Sequence, residues 1–197
     1  MIGDQNPDAW EKRKLSKHTE LITKGTTPKD KSGKGPVNFV KVESIVGERI
    51  VSPSKISMDE HNGYLHRSIL QKDDILFSIA GTLGRTTVVD EELLPANTNQ
   101  ALAIIRGYDL DKEFLMTSLS GFVVKEFIRR NPTIGAQPNI SLAQVGSLEI
   151  QAPGISEQKR IGEFFTHLNN TIALHQRKSS PSFLKLHLCS SIWLRPP

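Results

Sequence analysis

Two kinds of side chain in this sequence can recognise an anionic polymer. Lys24, Lys29, Lys31 and Lys34 fall in one short stretch whose only acid is Asp30, with Thr26, Thr27 and Ser32 among them. Ammonium groups beside hydroxyls and open backbone amides hold phosphate oxygens, and Lys41 can extend the patch. The second kind is forked. Arg67 and Arg85 suit a guanine edge; Asn97, Asn99, Gln100, Gln137 and Asn139 suit adenine. A plainer reading stands beside this one: the lysines are a solvated face, and the amides of Asn99, Gln100 and Gln137 cap backbone groups in loops.

Catalytic groupings are weak. His18, His61, His66, His167, His175 and His187 show no metal-ligand spacing, and His61 and His66 lack a third ligand. Gly81-Thr82-Leu83-Gly84 does not match the GxxxxGK[ST] phosphate cradle, since Arg85 follows directly. It fits a turn between two strands. Glu157-Gln158-Lys159 has the Glu-x-Lys spacing of some nucleases, but it opens a helix, where an acid simply favours the N-terminus. The expectation is no catalytic residue, no metal and no cofactor.

The chain has 197 residues, enough for one principal domain and an appendage. Its 37% hydrophobic content supports one core, and no apolar run approaches the roughly 20 residues that span a bilayer. The start, MIGDQNPDAWEKRK, does not read as a secretory signal. The single Cys189 excludes an internal disulfide, so a cytoplasmic setting is expected. The net charge of +4 is mild, but its distribution is uneven. Residues 1–41 hold nine Lys/Arg against five Asp/Glu, whereas Asp59/Glu60, Asp73/Asp74 and Asp90/Glu91/Glu92 cluster further on.

The elements that must position these residues follow from periodicity and breakers. Residues 1–10 read as a lead-in and 15–22 as a strand or short helix. Residues 23–36, rich in Gly, Pro, Ser, Thr and Lys, must be an exposed loop. Val37–Ile45 reads as a strand, 47–57 as extended pieces broken by Pro53, and Asn62-Gly63 as a tight turn. Ile75–Gly81 and Arg85–Val89 form a hairpin, and Ala101–Ile105 a buried strand. From Leu110 to Phe127 apolar residues recur at helical spacing, giving one helix with Gly121 inside it. Residues 131–140 read as a loop suited to binding, and Val145–Ile150 as a last strand. Ser156 caps a helix from Glu157 on which Ile161, Phe165, Leu168 and Ile172 form a seam. That seam can meet a partner helix or pack back on its own domain. Pro181 ends the pattern, and residues 179–197 form an atypical tail.

Taken in order, these segments resemble the specificity subunit of type I restriction-modification enzymes. The resemblance covers roughly residues 10–178. It rests on WEKRKL (Trp10–Leu15), ITKGTTP (Ile22–Pro28), NFVKVESI (Asn38–Ile45), LQKDDILFSIAGTLG (Leu70–Gly84), Asn99-Gln100, QPNI (Gln137–Ile140), EQKRI (Glu157–Ile161) and LNNTI (Leu168–Ile172). In that family each of two target-recognition domains reads half of a split double-stranded DNA target. Each is followed by a spacer helix, the two helices pack antiparallel, and methylation and cleavage reside in partner subunits.

The resemblance implies a recognition domain at 1–155, a spacer or dimerisation helix at 156–178 and the tail. The fold implied is mixed α/β (α+β), with curved, largely antiparallel strands followed by a protruding coiled-coil-like helix. The partners implied are DNA, modification subunits, restriction subunits in the full complex, and a second copy of the chain through the helix. One recognition domain stands here where the family carries two. The rival reading is a regulatory fragment that docks modification subunits through the helix without reading DNA.

Overall fold

The structure, a computed structural model, describes residues 10–130 and 139–178. The chain enters on strand β1 (Glu11–Lys14), turns through a short 3-10 segment at Leu15–Lys17 and continues as β2 (Thr19–Lys24). A loop follows to β3 (Val37–Val40). This strand stops earlier than its Val and Phe content predicts. Ser44 N–H bonds the Lys41 carbonyl at 2.9 Å, which winds Val42–Ser44 into a 3-10 turn. The small hairpin β4 (Ile45–Val46) and β5 (Arg49–Ile50) comes next, then β6 (Ser54–Ile56).

The expected tight turn at Asn62-Gly63 is instead the end of helix α1 (Met58–Asn62). The Ser57 hydroxyl caps its start by accepting Glu60 N–H, and Gly63 closes it. The hairpin of β7 (Ile75–Ser78) and β8 (Thr86–Val88) forms as the sequence indicates, and the segment continues into β9 (Ala96–Thr98) and β10 (Leu102–Tyr108).

The single helix expected beyond Leu110 is two, α2 (Lys112–Ser120) and α3 (Phe122–Arg130). Gly121 adopts an extended backbone and breaks them, the residue with the least to hold it in a helix. The break turns Val124 into the same core that α2 fills with Phe114, Leu115 and Leu119. Val145 also departs from its expected strand. Ser141 and Gln144 form a reciprocal capping box that winds α4 (Leu142–Gly146), so the last strand, β11, runs only Glu149–Ala152. Helix α5 (Ile155–Lys178) ends the described chain and begins two residues earlier than expected.

The central sheet has the order β2-β10-β7-β8, all antiparallel. A second sheet, β6-β3-β9, contains one parallel pair, β3 with β9. β1 pairs antiparallel with β11 and so ties the start of the domain to the root of α5. The fold is mixed α+β with antiparallel sheets and a long C-terminal helix. The main core packs one face of the central sheet (Ile75, Phe77, Ala103, Ile105) on α2, α3 and β11. The other face (Leu76, Leu102, Ile104) packs on Val40, Val42, Ile45 and Val89. Each fully buried Leu, Ile or Phe contributes roughly 1.5–3 kcal/mol. Among the described residues no helix is long and apolar enough to cross a membrane.

Candidate nucleic-acid interface

Strand direction gathers the candidate residues at one end of the central sheet. β2 and β7 both run antiparallel to β10, so their C-terminal ends lie beside its start: Lys24 pairs with Ala103, and Ser78 with Leu102. β9 enters β10 through Asn99 and Gln100. β3 runs parallel to β9, with Val40 opposite Thr98, which brings Lys41 next to Asn99. Asn139 bridges Ala80 just beyond β7. Lys24, Lys41, Asn99, Gln100, Asn139 and the glycine turn therefore share one end.

The lysine loop is anchored over this end at three points. Thr26 N–H donates to the Thr98 carbonyl at 3.0 Å. The fit at Gly25 is so close that a Cβ would overlap that carbonyl. The Thr27 hydroxyl donates to the Gln100 side-chain oxygen. Further along, Glu60 on α1 accepts the amides of Lys29 and Asp30 at 2.6 and 3.0 Å. Asp30 in turn accepts the Ser32 amide and hydroxyl, each at 2.8 Å. These bonds, with Lys34 nearby, hold its carboxyl below the usual range. The Lys29 ammonium sits 4.3 Å from the centroid of the half-exposed Tyr64 ring. The loop is exposed but organised, and Lys29, Lys31 and Lys34 all face solvent.

Sequence reasoning missed Glu60 and Tyr64. Neither is basic or forked, and the signal lay only in their place one turn apart, on and just after α1.

The forked candidates divide. Arg67 is exposed beside α1. Arg85 is spent on structure, donating to the Val42 and Ile45 carbonyls at 3.1 and 2.8 Å. It clamps β4 to the β7–β8 hairpin. Asn99 accepts the Ala101 amide at 3.1 Å, which fixes its turn. Gln100 and Asn139 are exposed. Asn97 is a core residue: it has no exposed surface. Its Nδ2 donates to the Leu65 carbonyl and the Ser68 hydroxyl. Its Oδ1 must then accept from His61 Nδ1, which fixes the proton on that nitrogen. An amide so enclosed cannot reach a base edge. Gln137 lies outside the described residues.

The opposite end of the sheet is acidic. Asp73 and Asp74 precede β7, Asp90, Glu91 and Glu92 follow β8, and Asp109 and Asp111 follow β10. Three Lys and Arg side chains here are held in ion pairs. Arg106 forks onto the buried Asp74 with two contacts of 2.6 Å. Lys112 meets Asp73 at 2.9 Å and Lys72 meets Glu91 at 3.0 Å, and each bond raises the lysine's pKa. Burial, then the surrounding acids, push the Tyr108 phenol up. By contrast Lys24, Lys29, Lys31, Lys34, Lys41 and Arg67 join no ion pair among the described residues. The domain is thus electrostatically uneven along its strands, with lysines outside ion pairs at the loop end and an acidic cluster at the other.

Helix α5 is half docked and half open. Gln158 is buried, accepting the Asp111 amide at 3.0 Å and donating to the Pro153 carbonyl at 2.9 Å. Ile161 packs on the core, so one member of the predicted seam faces its own domain. Phe165, Leu168 and Ile172 are 38, 40 and 45% exposed, and Phe164 and Leu174 are barer still at 63 and 58%. Asn169 reaches back to the Glu48 carboxylate at 3.2 Å. Among the described residues no three His, Cys, Asp or Glu side chains come together to hold a metal.

Comparison with solved structures gives the same fold. The HsdS subunit from Thermoanaerobacter tengcongensis superposes with a TM-score of 0.67 at 18% identity, over 86% of this chain and 44% of that one. A chain from a structural study of complex assembly and conformational transition of the type I R-M system gives 0.68 at 18% identity, over 95% of this chain and 45% of that one. The type I restriction-modification S subunit from M. genitalium gives 0.59 at 17% identity, over 86% and 41%. The chain spans less than half the length of each. At the sequence level the family described as "Type I restriction modification DNA specificity domain" matches residues 7–180. With that match across nearly the whole chain, the protein belongs to the type I restriction-modification DNA specificity domain family.

Proposed function

We propose that this protein binds double-stranded DNA at the loop end of its central sheet and reads one half of a bipartite target. The observation that carries this reading is the convergence of the ends of β2, β3, β7 and β9. There an organised lysine loop, its lysines outside any ion pair among the described residues, stands beside the exposed Gln100 and Asn139. Lys24, Thr26, Thr27, Lys29, Lys31, Lys34 and Lys41 serve phosphates; Arg67, Gln100 and Asn139 serve base edges. The chain is a non-catalytic, cytoplasmic half specificity subunit, with methylation and cleavage carried by partner subunits. Residues 1–155 form the recognition domain and 156–178 the docking helix. The open stripe Phe165, Leu168 and Ile172 supports docking to modification subunits or to a second copy of the chain.

The test is selection of the purified chain on a randomised duplex library, with mass followed by light scattering. The reading predicts an enriched half-site, paired and symmetric if the chain dimerises. A second reading is DNA-independent docking through α5, supported by the five exposed apolar side chains of its distal part. It predicts partner binding with no enriched motif.

A further inference from the structure

Helix α3 is anchored to the same end of the central sheet as the lysine loop. The Val124 side chain meets Gly84, the last residue of the turn between β7 and β8, so closely that a Cβ on Gly84 would lie 3.3 Å from Val124 Cγ1. Val123, Phe127 and Ile128 pack inward on the main core. What α3 shows to solvent is cationic: Lys125, Arg129 and Arg130 are exposed, the two arginine side chains at 71%. Both arginines lie within two helical turns of Val124.

A single carboxylate organises this face. Arg129 donates Nε to Glu126 Oε2 at 2.8 Å and Nη2 to Oε1 at 2.7 Å. Arg130 donates Nε to Oε1 at 2.7 Å. One acid thus orients two guanidinium forks and neutralises only one of them. Arg129 Nη1 and both terminal nitrogens of Arg130 stay unused by these bonds. A fork already held in place loses less freedom when it meets a phosphate oxygen. Arginines in a last helical turn also complement the helix dipole, but that role needs no shared acid.

We propose that Arg129 and Arg130, held by Glu126, form a second phosphate clamp that grips the DNA backbone separately from the lysine loop. The clamp rests on the reading that the loop end of the sheet faces DNA. Its test is the affinity of the whole chain for random-sequence duplex DNA across a range of salt concentrations, wild type against R129Q/R130Q, with thermal melting of both. Each phosphate contact contributes about 0.9 to the slope of log affinity against log salt. The double variant should therefore lose about 2 from that slope and bind roughly tenfold more weakly at moderate salt, with its melting temperature within a few degrees of wild type. An unchanged slope with salt-dependent wild-type binding overturns the clamp and leaves the DNA reading standing. A lowered melting temperature with unchanged slope assigns the arginines to helix stability and also overturns it. Wild-type chain that shows no salt-dependent binding overturns both.

Discussion

The carboxylate of Glu60 accepts the backbone amide of Lys29 at 2.6 Å, across 31 positions of sequence. One acid on a short helix thereby shapes the lysine loop from beneath. The lysines themselves are left for whatever lies outside. Loop position and loop charge can be separated by mutation. Replacing Lys29, Lys31 and Lys34 by Gln should weaken DNA binding on all sequences alike and lower the salt slope by about 2–3. Titration by fluorescence anisotropy checks it; an unchanged slope would remove the loop from the interface.

Asn97→Ala should act on stability rather than reading. It leaves the Leu65 carbonyl, the Ser68 hydroxyl and His61 Nδ1 without their shared partner in the interior. The Leu65 carbonyl and the Ser68 hydroxyl keep their bond to each other, so His61 Nδ1 is the group left orphaned, and a loss of about 1–3 kcal/mol is expected by urea denaturation. A variant of wild-type stability with altered base preference would place Asn97 at the DNA after all.

Gly162 sets how closely α5 approaches α2. A Cβ there would lie 2.7 Å from Glu113 Cβ and 2.8 Å from both Asp111 Oδ1 and Phe114 N. The methyl of Gly162→Ala has nowhere to go, and overpacking of this kind costs about 1–3 kcal/mol. The first turns of α5 should gain amide exchange while the central sheet keeps its protection. Uniform protection in the variant would contradict the tight crossing.

Glu126 titrates unusually. Hydrogen bonds from Arg129, then Arg130, hold its carboxyl down to about 2, from an ordinary 4.5. A carboxyl depressed in the folded state stabilises the fold above its unfolded pKa. That contribution fades as pH falls from about 4.5 through about 2. Carboxyl carbon shifts should show Glu126 ionised at pH 4; a midpoint near 4.5 would mean that the arginines are not held.

Ser substituted together at Phe165, Leu168 and Ile172 should abolish self-association or capture of modification subunits and leave the melting temperature nearly unchanged. These side chains already face solvent in the single chain. Light scattering and thermal melting decide. Loss of folding instead would show that the stripe packs on its own domain, as Ile161 does.

Much of the fold was legible in the sequence, and the reasons are local. The hairpin of Ile75–Ser78 and Thr86–Val88 was visible because a glycine turn separates two apolar runs. The lysine loop was visible because no periodicity could place it elsewhere. The helix break at Gly121 was not visible, because both halves keep the same spacing of apolar residues. The capping box of Ser141 and Gln144 was present but overshadowed by the apolar Val145, Leu148 and Ile150. Pairing of β1 with β11 joins segments more than 130 positions apart, which no local pattern encodes. At the site, residue type found the lysines but could not separate Asn97 from Asn99. Two asparagines in one short polar run read alike until the β3–β9 pairing buries the first and leaves the second in a turn.

Lysine-acetylation footprinting by mass spectrometry, with and without duplex DNA, tests the central claim most directly, because the two ends of the sheet each carry lysines. DNA should protect Lys24, Lys29, Lys31, Lys34 and Lys41. It should leave Lys72 and Lys112 at the acidic end as reactive as before. Protection of the acidic-end lysines instead, or equal reactivity everywhere under conditions where DNA is bound, would contradict the assignment of the loop end as the DNA-facing surface.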